Sequence, residues 1–330
     1  MDSSQILEVQ DLRVHFDTLE GTVKAVNGVD FALKKGETVG LVGESGCGKS
    51  VTALTVLRLM PSPPARIASG RVLLNGENLV EASSERMRQI RGGQISMIFQ
   101  EPMTSLNPVF TIGHQIAEIF RIHRNLEGQS VRNATLEVLR KVQIPSAQKR
   151  LKEYPHQLSG GMRQRVMIAM ALACNPQILI ADEPTTALDV TIQAQILDLM
   201  LALREALGTA ILMITHDLGV IAETAQRVVV LYAGKVMESG DVRTIFKSPF
   251  HPYTLGLLDS VPRLGQRTRK GKTRLREIPG SVPSMFDLPC GCLFAPRCRW
   301  SMEICLKQRP KLRTLEPGHQ VRCWLDQPPG

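Results

Sequence analysis

The sequence predicts an α/β protein built on a mostly parallel β-sheet that helices cover on both faces. A glycine-rich stretch at residues 43–50 separates an apolar run at 38–42 from a helix-compatible segment at 51–60. Further along the chain, short continuous apolar runs alternate with helical patterns. These runs lie at residues 95–99, 177–181, 210–214 and 228–231.

The residues before the glycine-rich stretch predict an antiparallel β subdomain. Residues 6–16 alternate in part between apolar and polar side chains, and residues 23–33 repeat this pattern after a turn at Gly21. A second hairpin is predicted at 70–79, because Asn75-Gly76 suits a two-residue turn between strands.

The glycine-rich stretch matches the P-loop pattern G-x-x-x-x-G-K-[ST]. It reads Gly43-Glu44-Ser45-Gly46-Cys47-Gly48-Lys49-Ser50, and Val51 follows it. Glycines let successive backbone N–H groups approach phosphate oxygens at a helix N-terminus. Lys49 is predicted to reach the β- and γ-phosphates, and Ser50 to ligate Mg²⁺. The alternative is a glycine-rich turn that binds nothing. We expect residues 43–51 to contact the nucleotide.

A helical insert is predicted at about residues 101–158. Amphipathic helical patterns at 112–122 and 131–142 dominate this stretch, and Pro108 and Pro145 interrupt it. Core periodicity then returns, with helices predicted at 161–173, about 190–207 and 218–225.

Two acidic residues, Asp182 and Glu183, end the apolar strand predicted at 177–181. This arrangement is called Walker B. Asp182 is expected to hold Mg²⁺, and Glu183 to polarise the attacking water as a general base. The alternative is a pair of acids that caps the next helix. The P-loop upstream favours the catalytic interpretation.

Composition limits the class of protein. No apolar run approaches the ~20 residues that cross a bilayer, and no charged-then-apolar leader opens the chain, so we expect a cytosolic protein. The net charge is +9, and part of the excess lies in a cluster without acidic residues at 263–276. Such a cluster could contact nucleic acid or anionic lipid head groups. A solvated linker is favoured, because no aromatic residues are interleaved for base stacking.

The stretch Leu158-Ser159-Gly160-Gly161-Met162-Arg163-Gln164 resembles the signature of the ATP-binding cassette (ABC) family. The resemblance implies a RecA-like P-loop NTPase core. It also implies that the signature, with Ser159, Gly160, Gly161 and Gln164, faces the ATP held by another subunit. Hydrolysis then requires a sandwich dimer.

The resemblance extends to single residues. Gln100 matches the glutamine of the Q-loop, which reaches Mg²⁺ and the water. Asp189 in Ala187-Leu188-Asp189 matches the D-loop, and His216 matches the switch histidine that donates to the γ-phosphate. The family stacks an aromatic side chain on adenine, and Phe16 is the candidate here, although a core position suits it equally.

Other stretches look like the oligopeptide/dipeptide/nickel importer branch, specifically its D-type ATPase subunits. They are residues 99–108, 154–158, 251–254 and 278–283. The resemblance implies a second, homologous ATPase subunit, two membrane permeases and an extracytoplasmic binding protein as partners, without nucleic acid. It also implies that a permease coupling helix docks near residues 100–108.

Five of the seven cysteines fall between Cys290 and Cys323. Four thiolates at Cys292, Cys298, Cys305 and Cys323 would suffice for zinc or a [4Fe–4S] cluster, with Cys290 as a rival ligand. The spacing lacks the C-x2-C pair usual for structural zinc, and the resemblance implies the [4Fe–4S] cluster. Free reduced thiols are the alternative.

The sequence therefore predicts an ATPase that energises a membrane importer, with ATP, Mg²⁺ and a [4Fe–4S] cluster. Residues 1–248 would form the nucleotide-binding domain and 249–330 an irregular, Cys-rich C-terminal extension. The predicted location is peripheral, on the cytoplasmic face of the inner membrane. Di- or oligopeptides are the expected cargo, with nickel, glutathione or another small solute as alternatives. A soluble ABC ATPase that acts on nucleic acid is the alternative of another class.

Overall fold

A computed structural model describes residues 4–100, 105–186, 188–261 and 277–329. Two compact units divide the chain. The helical unit comprises Met1–Gln5, Leu33–Glu37 and Glu81–Met213, and the P-loop unit comprises Ile6–Ala32, Thr38–Val80 and Ile214–Gly330. The predicted basic cluster at 263–276, residues 101–104 of the predicted coupling-helix contact at 100–108, and Ala187 lie outside the described residues.

The P-loop unit contains a four-stranded antiparallel sheet in the order β2-β1-β4-β5. Its strands are β1 (Gln5–Thr18), β2 (Gly21–Lys34), β4 (Ala65–Leu74) and β5 (Glu77–Asn78). Asn75 and Gly76 both adopt positive φ, at 49° and 85°, as the two-residue turn between β4 and β5 requires. The antiparallel layer predicted from residues 6–33 and 70–79 is confirmed.

A second group of strands in this unit runs in the order β11-β12-β10-β9-β3. These strands are β3 (Thr38–Val42), β9 (Arg227–Tyr232), β10 (Lys235–Asp241), β11 (Arg313–Glu316) and β12 (His319–Val321). The pair β3–β9 is parallel, whereas β10 joins β9 and β12 in antiparallel register. The unit also contains helices α1 (Lys49–Val56) and α8 (Leu218–Thr224).

The helical unit holds three strands in the order β8-β7-β6, with β6 parallel to β7. They are β6 (Ile95–Ile98), β7 (Ile178–Asp182) and β8 (Ala210–Ile214). Its helices are α2 (Ser84–Ile90), α3 (Ile112–Arg124), α4 (Gly128–Lys141), α5 (Ala147–Arg150), α6 (Gly160–Leu172) and α7 (Val190–Leu207). The helices predicted at 112–122, 131–142 and 161–173 are confirmed within a few residues, and the helix at 190–207 is found with the predicted bounds.

The chain after β10 continues with α9 (Val242–Lys247), α10 (Pro252–Asp259) and α11 (Glu303–Lys307). Glu238 of β10 is fully buried and connects β10 to the start of α10 and to β12 through hydrogen bonds. Its carboxylate accepts the backbone N–H groups of Phe250 and His251 at 2.8 and 2.9 Å and lies 2.8 Å from His319 Nε2. The carboxylate oxygens are therefore satisfied in the core, as a buried charge requires.

Among the described helices, none combines the length and the apolar character needed to span a bilayer.

Candidate functional site

The P-loop follows β3 and leads directly into α1. Gly43 and Gly48 adopt φ values of 150° and 101°, which favour glycine. A Cβ atom at Gly43 would lie 2.2 Å from the carbonyl oxygen of Leu231, and one at Gly48 would lie 2.5 Å from that of Ala25. Neighbouring backbone therefore encloses the loop so closely that only glycine fits at both positions.

Lys49 is the cation of this loop. Its side chain is buried, and Nζ donates to the carbonyl oxygens of Gly43 at 2.7 Å and Glu44 at 3.1 Å. The same nitrogen lies 3.8 Å from Cys47 Sγ. These contacts hold the ammonium group at the start of the loop, within the segment that the motif assigns to phosphate binding.

Residues from the C-terminal part of the chain hold Glu44 at two points. The Tyr253 hydroxyl accepts the backbone N–H of Glu44 at 2.9 Å, and Arg297 donates to the Glu44 carboxylate from both terminal nitrogens at 2.7 and 3.0 Å. The carboxylate of Glu44 raises the pKa of Arg297. Sequence reasoning did not identify Tyr253 or Arg297, because more than 200 residues separate them from the loop.

Glu183 follows directly after β7 in the helical unit. Its φ of 48° lies in the left-handed region, which non-glycine residues rarely adopt outside turns and functional sites. The Glu183 carboxylate accepts the amide N–H of Gln100 at 2.9 Å and the hydroxyl of Thr186 at 3.0 Å. The structure thus brings together the predicted base and the predicted Q-loop glutamine. Asp182, at the end of the buried β7, is itself buried.

The signature residues lie at the start of α6. Ser159 caps this helix, accepting the backbone N–H of Met162 at 3.4 Å. A Cβ atom at Gly161 would lie 2.9 Å from Ile192 Cγ2, so glycine allows the starts of α6 and α7 to approach closely. Asp189 caps α7 by accepting the backbone N–H of Ile192 at 2.9 Å.

Gln164 is placed differently from the other signature residues. It is only 1% exposed, and its amide donates to the carbonyl oxygen of Pro184 at 2.5 Å. Gln164 therefore supports the segment that follows Glu183 from within the same unit. Its predicted role at the ATP of a partner subunit stays a prediction.

The two remaining predicted residues lie in the P-loop unit. His216 is exposed in the link between β8 and α8, next to Asp217, which caps α8 by accepting the backbone N–H of Gly219 at 2.8 Å. Phe16 is half-buried on β1 and pairs with Ala65 of β4. Phe16 therefore keeps an accessible face while contributing to the antiparallel sheet.

The predicted [4Fe–4S] cluster is wrong. Within the described residues, which include all seven cysteines, no group of three or more His, Cys, Asp or Glu side chains could hold a metal ion. Burial raises the pKa of both Cys292 and Cys298 to about 11. The thiol of Cys323 is engaged with the backbone N–H of Leu325 at 3.5 Å. The spacing of the cysteines in the sequence therefore does not correspond to a metal site in the described residues.

The chain has two features of a P-loop ATPase. One unit contains the P-loop with its buried Lys49, and the other contains the acidic pair Asp182 and Glu183 at the end of a buried strand. A second glycine-rich helix start, with Gly160 and Gly161, opens α6. Comparison with known proteins narrows this class. Residues 26–186 match the family model described as ABC transporter, and residues 237–305 match that of the oligopeptide/dipeptide transporter C-terminal region.

Similar proteins cover almost the whole chain. A probable peptide ABC transporter ATP-binding protein of Sinorhizobium fredii is 53% identical over 97% of this chain and 94% of its own length. The oligopeptide transport ATP-binding protein AppD of Bacillus subtilis is 51% identical over 98% of this chain and 97% of its own. The dipeptide transport ATP-binding protein DppD of the same organism is 50% identical, covering 97% and 95%.

Among solved structures, the dimeric ABC transporter cassette MJ0796 is similar, with a TM-score of 0.64 and 29% identity over 72% of this chain and 99% of that one. The chain belongs to the ABC transporter family of ATP-binding proteins. As an ABC ATPase it uses ATP and Mg²⁺, and as an importer subunit it works with membrane permeases, with which it associates peripherally.

Proposed function

We propose that this chain hydrolyses ATP to energise the import of di- or oligopeptides. The match of residues 237–305 to the C-terminal region of oligopeptide/dipeptide transporters supports this cargo class. The names of the relatives support it too, since AppD and DppD are described as oligopeptide and dipeptide transport ATP-binding proteins. Nickel, glutathione or another small solute is the alternative cargo.

In the proposed mechanism, the backbone of residues 43–51 binds the phosphates and Lys49 offsets the charge that develops on them. Bound Mg²⁺, held by Ser50, Asp182 and Gln100, would neutralise the phosphate oxygens. Glu183 accepts a proton from the attacking water, and Gln100 and Thr186 orient its carboxylate through the hydrogen bonds at 2.9 and 3.0 Å. His216 donates to the γ-phosphate, and Phe16 stacks on adenine.

We further propose that the active form is a sandwich of this chain and a second, homologous ATPase subunit. Ser159, Gly160 and Gly161 at the start of α6 would bind the γ-phosphate on the partner, since a helix N-terminus attracts anions. Asp189 would reach toward the opposite site. Two permeases and an extracytoplasmic binding protein complete the assembly at the inner membrane.

The proposed domain division is a cassette at 1–248, with the helical insert at about 101–158, and an extension at 249–330. Both family matches support this division in part, because one lies wholly within the cassette and the other reaches from its last strand to residue 305.

The experiment is a cellular uptake assay in a strain that lacks this chain. Each of three forms of the chain is expressed in this strain: wild type, Lys49→Ala and the matched control Lys247→Ala, at an exposed position of α9. Uptake of labelled dipeptides, oligopeptides, nickel and glutathione is then measured. We expect wild type and Lys247→Ala to restore peptide uptake and Lys49→Ala to abolish it. Restored nickel or glutathione uptake without peptide uptake would change the cargo. Uptake equal in all strains would refute the importer function.

A further inference from the structure

The P-loop carries an acidic side chain at its second position, Glu44. A carboxylate in a loop that binds phosphates opposes binding by like-charge repulsion unless a cation neutralises it. Arg297 supplies that cation in a bidentate pair at 2.7 and 3.0 Å. The side chains of Arg297 and Glu44 are 4% and 29% exposed, so solvent screens the pair weakly.

Arg297 is itself fixed by further contacts, two of them to the C-terminal region and one to β9. Its Nε donates to the carbonyl oxygen of Pro279 at 2.8 Å, and its terminal nitrogens also donate to the carbonyl of Ile278 at 3.1 Å and the hydroxyl of Tyr232 at 3.3 Å. With the two bonds to Glu44, these contacts match the five N–H donors of a guanidinium group. Arg297 therefore has one well-determined position.

The position of Glu44 affects Lys49 directly. Lys49 Nζ donates to the carbonyl oxygens of Gly43 and Glu44, which belong to the two peptide groups that flank the Glu44 Cα. The conformation of Glu44 therefore determines the position of the ammonium group. Tyr253 holds the N–H of Glu44, and Arg297 holds its side chain. Both residues that orient the start of the loop thus follow residue 250.

We propose that Arg297 is a positioning residue for ATP binding, which neutralises Glu44 and fixes the carbonyl groups that orient Lys49. The C-terminal region thereby sets the affinity of the P-loop for ATP. This proposal deepens, and rests on, the nucleotide-binding role proposed above. Arg297 acts through Glu44 and not on the phosphates themselves.

The test is a titration of the full chain with a fluorescent ATP analogue, together with thermal melting to verify folding. We expect Arg297→Met to raise the Kd about 10-fold, because an unpaired carboxylate remains in the loop. The double variant Glu44→Gln, Arg297→Met should return the Kd to within about 3-fold of wild type, because both charges are then removed. A purely structural role for Arg297 predicts no such rescue.

Arg309→Met is the matched control, because Arg309 donates to the carbonyl oxygens of Pro289 and Gly291 and, within the described residues, forms no hydrogen bond to the P-loop. Its Kd should stay within about 2-fold of wild type. If Arg297→Met does not fold, Arg297→Lys replaces it, since lysine keeps the charge but lacks the bidentate fork. Unchanged binding by the folded Arg297 variant, or a double variant as weak as the single one, overturns the proposal. Failure of wild type to bind ATP would instead overturn the proposed function, and this proposal with it.

Discussion

Two glutamates lie in the segments of the candidate site, and they are held in different ways. Glu44 pairs with the guanidinium of Arg297, whereas Glu183 accepts hydrogen bonds from the amide of Gln100 and the hydroxyl of Thr186. The bidentate pair with Arg297 fixes the side chain of Glu44 at the start of the P-loop. Glu183 instead follows a buried strand and lies beside the predicted Q-loop glutamine, which suits the proposed role of general base. The comparison thus distinguishes an acid that shapes a loop from an acid that is proposed to perform chemistry.

The largest expected effect separates the two glutamates directly. Glu183→Gln should lower ATP hydrolysis by the assembled importer about 10³-fold, because it removes the proposed general base. ATP binding should persist in this variant, since the P-loop is unchanged. Glu44→Gln should lower hydrolysis by no more than about 10-fold. Phosphate release measures both variants, and losses of equal size would contradict the division of roles.

The next prediction addresses the rigidity of the loop that holds Glu44. Gly43→Ala should destabilise the protein by about 3 kcal/mol, because the added Cβ overlaps the carbonyl oxygen of Leu231. Gly46→Ala is the control, since its φ of 77° also favours glycine but no atom lies within 4 Å of the added Cβ. We expect a loss of about 1 kcal/mol there. Urea unfolding gives both values, and similar losses would argue against close enclosure of Gly43.

A smaller effect is expected at the neutral donors of Glu183. Gln100→Ala and Thr186→Ala should each lower kcat about 10-fold, because each removes one hydrogen bond that orients the carboxylate. Gln89→Ala, at an exposed position of α2, serves as the control and should leave kcat within about 2-fold. An unchanged kcat in both Gln100→Ala and Thr186→Ala would mean that neither bond orients the base.

The smallest effect concerns Cys47, which is fully buried in the same loop as Glu44. Burial raises the pKa of its thiol, so less of the reactive thiolate forms at a given pH than for a cysteine of ordinary pKa. Iodoacetamide should therefore label the exposed Cys290 at least about 10-fold faster than Cys47 at pH 7.5, with the rate at Cys47 rising as the pH rises. Mass spectrometry of peptides measures both rates. Equal rates would show that the loop opens readily.

Sequence patterns were sufficient where local chemistry decides the structure. The five buried residues of β3 and the capped helix α7 have the bounds that their patterns predict. The motif around Lys49 likewise depends on residues that are adjacent in sequence. In contrast, Arg297 and Glu44 meet only through the tertiary fold, and no periodicity relates residues 253 positions apart.

The cysteines show a different limit. Their spacing permits four ligands, but ligation depends on where the side chains point and on whether each thiol loses its proton. In the described residues the fold does not bring three or more of these side chains into an arrangement that could hold a metal ion, and spacing along the chain carries no information on that arrangement. The strand β10 was missed because Glu238 and Ser239 interrupt its apolar pattern, although the fold buries Glu238 completely.

The close approach at Gly161 has a mechanical consequence. Ile192 lies where the side chain of any other residue at 161 would project, so the first turns of α6 and α7 are in close contact. Ser159 caps one of these helices and Asp189 caps the other. A tilt of α6 would therefore displace the start of α7 as well. In the proposed two-subunit form, this contact would couple the residues of one helix start that face the partner's ATP to those of the other.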